Sequence, residues 1–169
     1  LSRAAELFGS VDVFIDAKFH QRNFCTENNP SLLLANEAIE FFVGRGKGRN
    51  IFLTYEDTVL NYLKEDELIK ENKHLHDYII GKSNSLLGKQ ITNNILSTSF
   101  TDELILKHFP NKNIQEAVLE IKQDWVQAKL VEPVDIAYTV AFLCSPISTA
   151  IDAQVVHASY GLNSKIPTC

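Results

Sequence analysis

The spacing of apolar residues along this chain predicts helices that alternate with short strands. Apolar positions recur every three to four residues in several segments, which is typical of helices that bury one face. The predicted helices cover residues 1–9, 31–43, 59–90, 101–105, 114–126 and 133–145. Short runs rich in β-branched residues predict strands at 11–15, 50–55, 91–97 and 154–158. This order favours an α/β fold, with a parallel sheet and helices on both faces.

Length and composition limit the possible partners. The chain has 169 residues, 45% of them hydrophobic, so we expect a single domain over 1–169. A formal net charge of -5 argues against a nucleic-acid partner. No apolar run reaches the roughly 20 residues that a membrane-spanning helix requires. Three widely spaced cysteines, Cys25, Cys144 and Cys169, favour a reducing compartment, so we expect an intracellular protein of the cytoplasm or an organelle matrix.

The last quarter of the chain carries the most specific pattern. Pro133 suits the first turn of a helix, and apolar residues then recur at helical spacing up to Leu143. Gln154-Val155-Val156-His157 follows as a short strand, and Gly161 supplies a turn. This segment resembles the closing helix and last strand of the short-chain dehydrogenase/reductase family, and its Val-Val-His resembles the enoyl-acyl-carrier-protein reductases. Asn94 lies where the family has a strand asparagine.

The resemblance implies a Rossmann-like fold, NAD or NADP as cofactor, and a carbonyl or acyl-thioester substrate, as in fatty acid biosynthesis. Dinucleotide-binding folds hold the pyrophosphate on a glycine-rich turn after the first strand. The glycine cluster here, Gly44 to Gly48, lies between a helix and a strand, which is the reverse order and predicts a surface loop. We therefore expect the N-terminal part of the domain to be incomplete, also because the sequence contains no Met. We therefore do not expect this chain alone to bind NAD(H) or NADP(H) with useful affinity.

Four residues match the catalytic set that the resemblance implies. Asn28 stands for the family's asparagine and Thr54 for its serine, and Tyr78 with Lys82 matches its Tyr-x-x-x-Lys pair. In that set the Tyr acts as acid or base and the Lys lowers its pKa. Each residue also has a structural interpretation, and Asn28 suits a helix cap or turn. Only eight residues separate Lys82 from Ile91, too few for the usual crossing helix, and an alternative register puts the pair at Leu68 and Asn72, which cannot do this chemistry.

Two functions remain open from the sequence. The first is an NAD(P)-linked oxidoreductase of this family. The second is a catalytically inactive relative that serves as a structural or regulatory subunit. In both cases we expect a homo- or hetero-oligomer formed through the C-terminal helix and strand, residues 136–162, since one of the consecutive Val155 and Val156 should face away from the core. A metal is not expected, because His74 and His76 do not share a helix face.

Overall fold

The structure, a computed structural model, describes residues 6–7, 10–17, 30–124 and 129–161. Numbered in chain order, its strands are β1 (Val13–Asp16), β2 (Lys47–Tyr55), β3 (Gln90–Thr98) and β4 (Val155–Ala158). Its helices are α1 (Pro30–Arg45), α2 (Asp57–Tyr62), α3 (Asp66–Ser85), α4 (Asp102–His108), α5 (Ile114–Asp124) and α6 (Pro133–Cys144), and a 3₁₀ turn follows at Pro146–Ser148. The helix predicted over 1–9 lies almost wholly outside the described residues.

The four strands form one parallel sheet in the order β1-β2-β3-β4. On one face, residues of α1 and α3 pack with the sheet in a cluster of Ala35, Phe52, Leu75, Ile79 and Ile95. On the other face, Leu143 of α6 packs with Ile51, Leu53 and Leu96. Helices on both faces of a parallel sheet confirm the predicted α/β, Rossmann-like fold.

The expectation that Val155 or Val156 faces away from the core was wrong. Val155 packs into the cluster on the α1 and α3 face, and Val156 packs into the cluster on the α6 face. The physical reason is that β4 has a helix layer on each side, so both faces of the strand meet apolar groups.

The packing of α1 against β2 explains one glycine of the cluster between them. Helix α1 begins at Pro30, where the missing N–H costs no hydrogen bond, and it buries Ala35, Ala38 and Phe42. A Cβ on Gly48 would lie 2.1 Å from the Phe42 ring. Gly48 is therefore required for helix–strand packing.

The helical region predicted over 59–90 is two helices in the structure. Helix α2 ends at Tyr62, and Lys64 adopts a left-handed conformation with φ 59° before α3 begins at Asp66. On either side of the break, Leu60 of α2 and Leu68 of α3 pack into one cluster with Phe100. No helix in the described part of the chain is both long and apolar enough to cross a lipid bilayer.

Candidate functional site: a groove at the carboxyl ends of three strands

A groove of about 490 Å³ lies between α3 and the carboxyl ends of β2, β3 and β4. Its strand side contains a row of three polar residues, one from each strand. Thr54 is the register partner of Ser97, and Ser97 is the register partner of His157. Register partners in adjacent strands project to the same face, so all three side chains meet the groove together. Open α/β sheets bind ligands at this end of their strands.

A buried carboxylate holds the histidine of this row. Glu56 follows β2 directly, its backbone N–H donates to Thr98 O at 2.8 Å, and the residue is only 3% exposed. The Glu56 Oε1 atom lies 2.6 Å from His157 Nδ1, and the His157 side chain is 40% exposed. A carboxylate on Nδ1 fixes the orientation of an imidazole, which is how acid–base and metal-binding histidines are held.

The helix side of the groove carries the positive charge. Lys70, Lys73 and His76 lie at three-residue intervals on α3 and line the groove, and both lysines are exposed. Asn72 fixes this stretch of helix to the end of β2, because its Nδ2 donates to Tyr55 O at 2.9 Å and to Asp57 Oδ1 at 2.8 Å. An apolar floor separates the two walls and consists of Ile69, Ile95 and Val155.

Tyr78 and Lys82 lie on the part of α3 that packs against the sheet and α1, and neither lines the groove. The Tyr78 hydroxyl donates to Asn36 Oδ1 at 3.1 Å, and its ring meets the Phe52 ring edge-on with centroids 6.1 Å apart. Lys82 Nζ lies 5.4 Å from the centre of the Tyr78 ring, a cation–π distance. Burial raises the pKa of Tyr78 to about 12, whereas acid–base catalysis at neutral pH favours a pKa near the working pH.

Of the four sequence-predicted site residues, the structure therefore brings only Thr54 to the groove. Asn28 lies outside the described residues. The catalytic roles of Asn28, Thr54, Tyr78 and Lys82 stay predictions. In the alternative register, Leu68 is buried in the core, and Asn72 lines the groove.

Comparison with solved structures supports this architecture, whereas comparison of sequences finds no match. No protein-family model and no curated protein matches the chain. Solved structures do match. One is a variant of the actinorhodin polyketide ketoreductase with NADPH (TM-score 0.76, 16% identity, covering 97% of this chain and 72% of that one). The chain has the fold of NADPH-dependent reductases.

Two further solved structures also match the fold of this chain. YwfH, an NADPH-dependent reductase involved in bacilysin biosynthesis, matches with a TM-score of 0.75 and 20% identity, over 98% of this chain and 72% of that one. A variant of ElxO with NADPH bound matches with a TM-score of 0.75 and 13% identity, over 97% of this chain and 72% of that one. At these identities the likeness is one of fold.

The residues of this chain do not fit the phosphates of a nicotinamide cofactor. None of the four strands in the described part of the chain is followed by a glycine-rich turn that opens a helix, since β2 runs into Glu56 and Asp57, and β3 runs into Ser99 and Phe100. The glycine cluster lies at the amino end of β2, and the space beside Gly48 is filled by the Phe42 ring. These residues therefore supply no cradle of backbone N–H groups for the pyrophosphate. The described residues also contain no group of three or more His, Cys, Asp or Glu that could hold a metal ion.

The Glu56–His157 pair was missed by sequence reasoning. Its two residues are 101 positions apart, and spacing within one helix or strand carries no information about contacts between strands. A usable signal was present, because Glu56 follows one predicted strand and His157 lies in another. The carboxyl ends of parallel strands meet at one edge of the sheet.

Proposed function

We propose that this chain is an NAD(P)-linked, short-chain dehydrogenase/reductase-like protein that acts on a carbonyl or acyl-thioester substrate. The observation that carries the proposal is the row of Thr54, Ser97 and His157 at the carboxyl end of a reductase-type sheet. Two hydroxyls side by side suit hydrogen bonds to a carbonyl oxygen. NADPH, named for the structural neighbours, is the corresponding cofactor expectation, with NAD as the alternative.

The test is a reductase assay with the complete gene product that contains this chain, because the residues of the chain alone do not fit the phosphates of the cofactor. NADPH or NADH oxidation is followed by absorbance with a panel of ketones, oxo acids and acyl thioesters. We expect turnover with at least one class, a large loss in Thr54→Val and retention in Thr54→Ser. Thr139→Val, on α6 across the sheet, is the matched control and should keep full activity, because its hydroxyl donates to Asp135 O within the helix. No turnover with any class would refute the proposal.

A second candidate function is that of a catalytically inactive subunit of an oligomer. It is favoured by an exposed stripe on α6, in which Val134, Tyr138 and Phe142 recur every four residues and Ile147 follows. Within the described sheet, β4 pairs only with β3, and Tyr138 of the stripe lines a pocket together with His157 and Ala158 of β4. An edge strand beside an apolar stripe suits a second copy of the chain, since a two-fold contact buries the same patch on both.

A further inference from the structure

The groove separates its charges between two walls. Lys70, Lys73 and His76 project from α3, whereas both carboxylates belong to the chain just after β2. Each carboxylate has a partner there, since Glu56 bonds to His157 and Asp57 accepts a hydrogen bond from Asn72. Neither Lys70 nor Lys73 forms an ion pair with another described residue, so the helix wall offers its positive charge to the groove.

The strand wall offers hydroxyl groups and little charge of its own. Thr54 and Ser97 stand side by side, and Ser97 is 4% exposed. Between the two walls lie the side chains of Ile69, Ile95 and Val155. A ligand complementary to the groove therefore needs an anionic group at one end, a hydrogen-bond acceptor at the other end, and a short apolar segment between them.

We infer that this groove binds a short oxo acid, with its carboxylate on Lys70 and Lys73 and its carbonyl oxygen on the hydroxyls of Thr54 and Ser97. A carboxylate suits the site better than a phosphate, because two lysines face two carboxylates across the groove and a second negative charge on the ligand would have no partner. The His157 imidazole, held by Glu56, is the third polar group beside the carbonyl. This inference names a substrate class and so rests on the proposed function for its reaction.

Binding without any nicotinamide cofactor tests the inference. The full chain is titrated calorimetrically with 4-oxopentanoate, with pentanoate, which lacks the carbonyl, and with 2-pentanone, which lacks the carboxylate. We expect 4-oxopentanoate to bind about tenfold more tightly than pentanoate, since only the oxo acid offers a carbonyl oxygen to the hydroxyls of Thr54 and Ser97. The ketone should give no measurable heat at the same concentrations.

Variants assign the two ends of the ligand. Lys70→Gln with Lys73→Gln should weaken the binding of 4-oxopentanoate and of pentanoate alike by about tenfold or more. Thr54→Val with Ser97→Ala should weaken 4-oxopentanoate binding to the level of pentanoate and leave pentanoate binding unchanged. Lys122→Gln, which removes the charge of one exposed lysine on α5, is the control and should bind as the unmutated chain does. The substituted lysines are exposed, and the circular dichroism of each variant verifies its fold.

The outcomes separate this inference from the proposed function. Three results would overturn the oxo acid site: equal binding by the unmutated chain and the double lysine variant, no binding of 4-oxopentanoate, or binding of inorganic phosphate in its place. Oxo acid binding without NADPH oxidation by the complete gene product leaves the site standing and refutes the reductase. NADPH oxidation with a ketone that lacks a carboxylate, and no oxo acid binding, leaves the reductase standing and refutes the site.

Discussion

Glu56 and His157 are joined by a 2.6 Å contact between Oε1 and Nδ1, which ties the chain after β2 to β4 across the intervening β3. The carboxylate is almost fully buried, and an ionised carboxylate in that environment needs a partner. The His157 imidazole therefore helps to hold the sheet together, and it also lines the groove.

Replacing His157 by Ala should lower the free energy of unfolding by about 1–3 kcal/mol, because the Glu56 carboxylate would be left without this bond. Urea unfolding measures the change. His74→Ala, at an exposed position of α3, is the control and should change it by less than about 0.5 kcal/mol. In the Glu56→Gln background, His157→Ala should cost less, and an equal cost in both backgrounds would contradict the coupling.

Tyr78→Phe should leave any reductase activity nearly unchanged and reduce stability by about 0.5–1.5 kcal/mol. The hydroxyl bonds to Asn36 and not to a residue of the groove, so its loss removes one hydrogen bond from the helix layer. Steady-state kinetics and urea unfolding measure the two effects. A loss of activity by orders of magnitude, with stability preserved, would instead support the catalytic role that Tyr-x-x-x-Lys implies.

Tyr78 should also make stability fall at alkaline pH. Burial raises the pKa of its phenol to about 12, whereas a tyrosine in an unfolded chain has a pKa of about 10. The neutral phenol therefore favours the folded state; this contribution is complete below about pH 10 and is lost as the pH rises towards about 12. Urea midpoints across this range should fall less steeply in Tyr78→Phe than in the exposed control Tyr138→Phe. If the urea midpoints of the two variants fell equally with pH, the result would contradict this prediction.

The chain by itself should not bind NAD(H) or NADP(H) with useful affinity, because no strand among the described residues leads into a phosphate-binding glycine turn. Calorimetric titration of the purified chain with each nucleotide measures this directly. A dissociation constant in the low micromolar range would show that other residues hold the pyrophosphate.

If the proposed oligomer forms, Tyr138→Glu should shift it towards monomer. The Tyr138 residue is 73% exposed at the centre of the α6 stripe, and a charge there would be buried unpaired between two copies. Sedimentation velocity measures the change. Leu87→Glu, at an 81% exposed position in the turn after α3, is the control and should sediment like the unmutated chain. A monomeric unmutated chain would defeat the proposed interface.

The fold was predictable because the spacing of apolar residues within each helix and strand is a local signal. Helix α6 begins at Pro133 as predicted, and β2 and β3 extend their predicted ranges by one to three residues at an end. The break at Lys64 was not predictable, since it depends on which core the flanking leucines reach. The candidate site was predicted only at Thr54, because the groove depends on the register of β2, β3 and β4. No pattern within a single strand encodes that register.

The order in which the chain connects its strands affects the rate at which the sheet folds. Side-chain hydrogen bonds that join β2 to β3 and β3 to β4 span 43 and 60 residues, and the described strands, all parallel, form no hairpin that could fold early. Such long-range pairings slow folding. Since β4 is synthesised after the other described strands, a nascent chain still lacking it exposes the edge of β3 to other chains. His157 can complete the groove only after that edge has been covered.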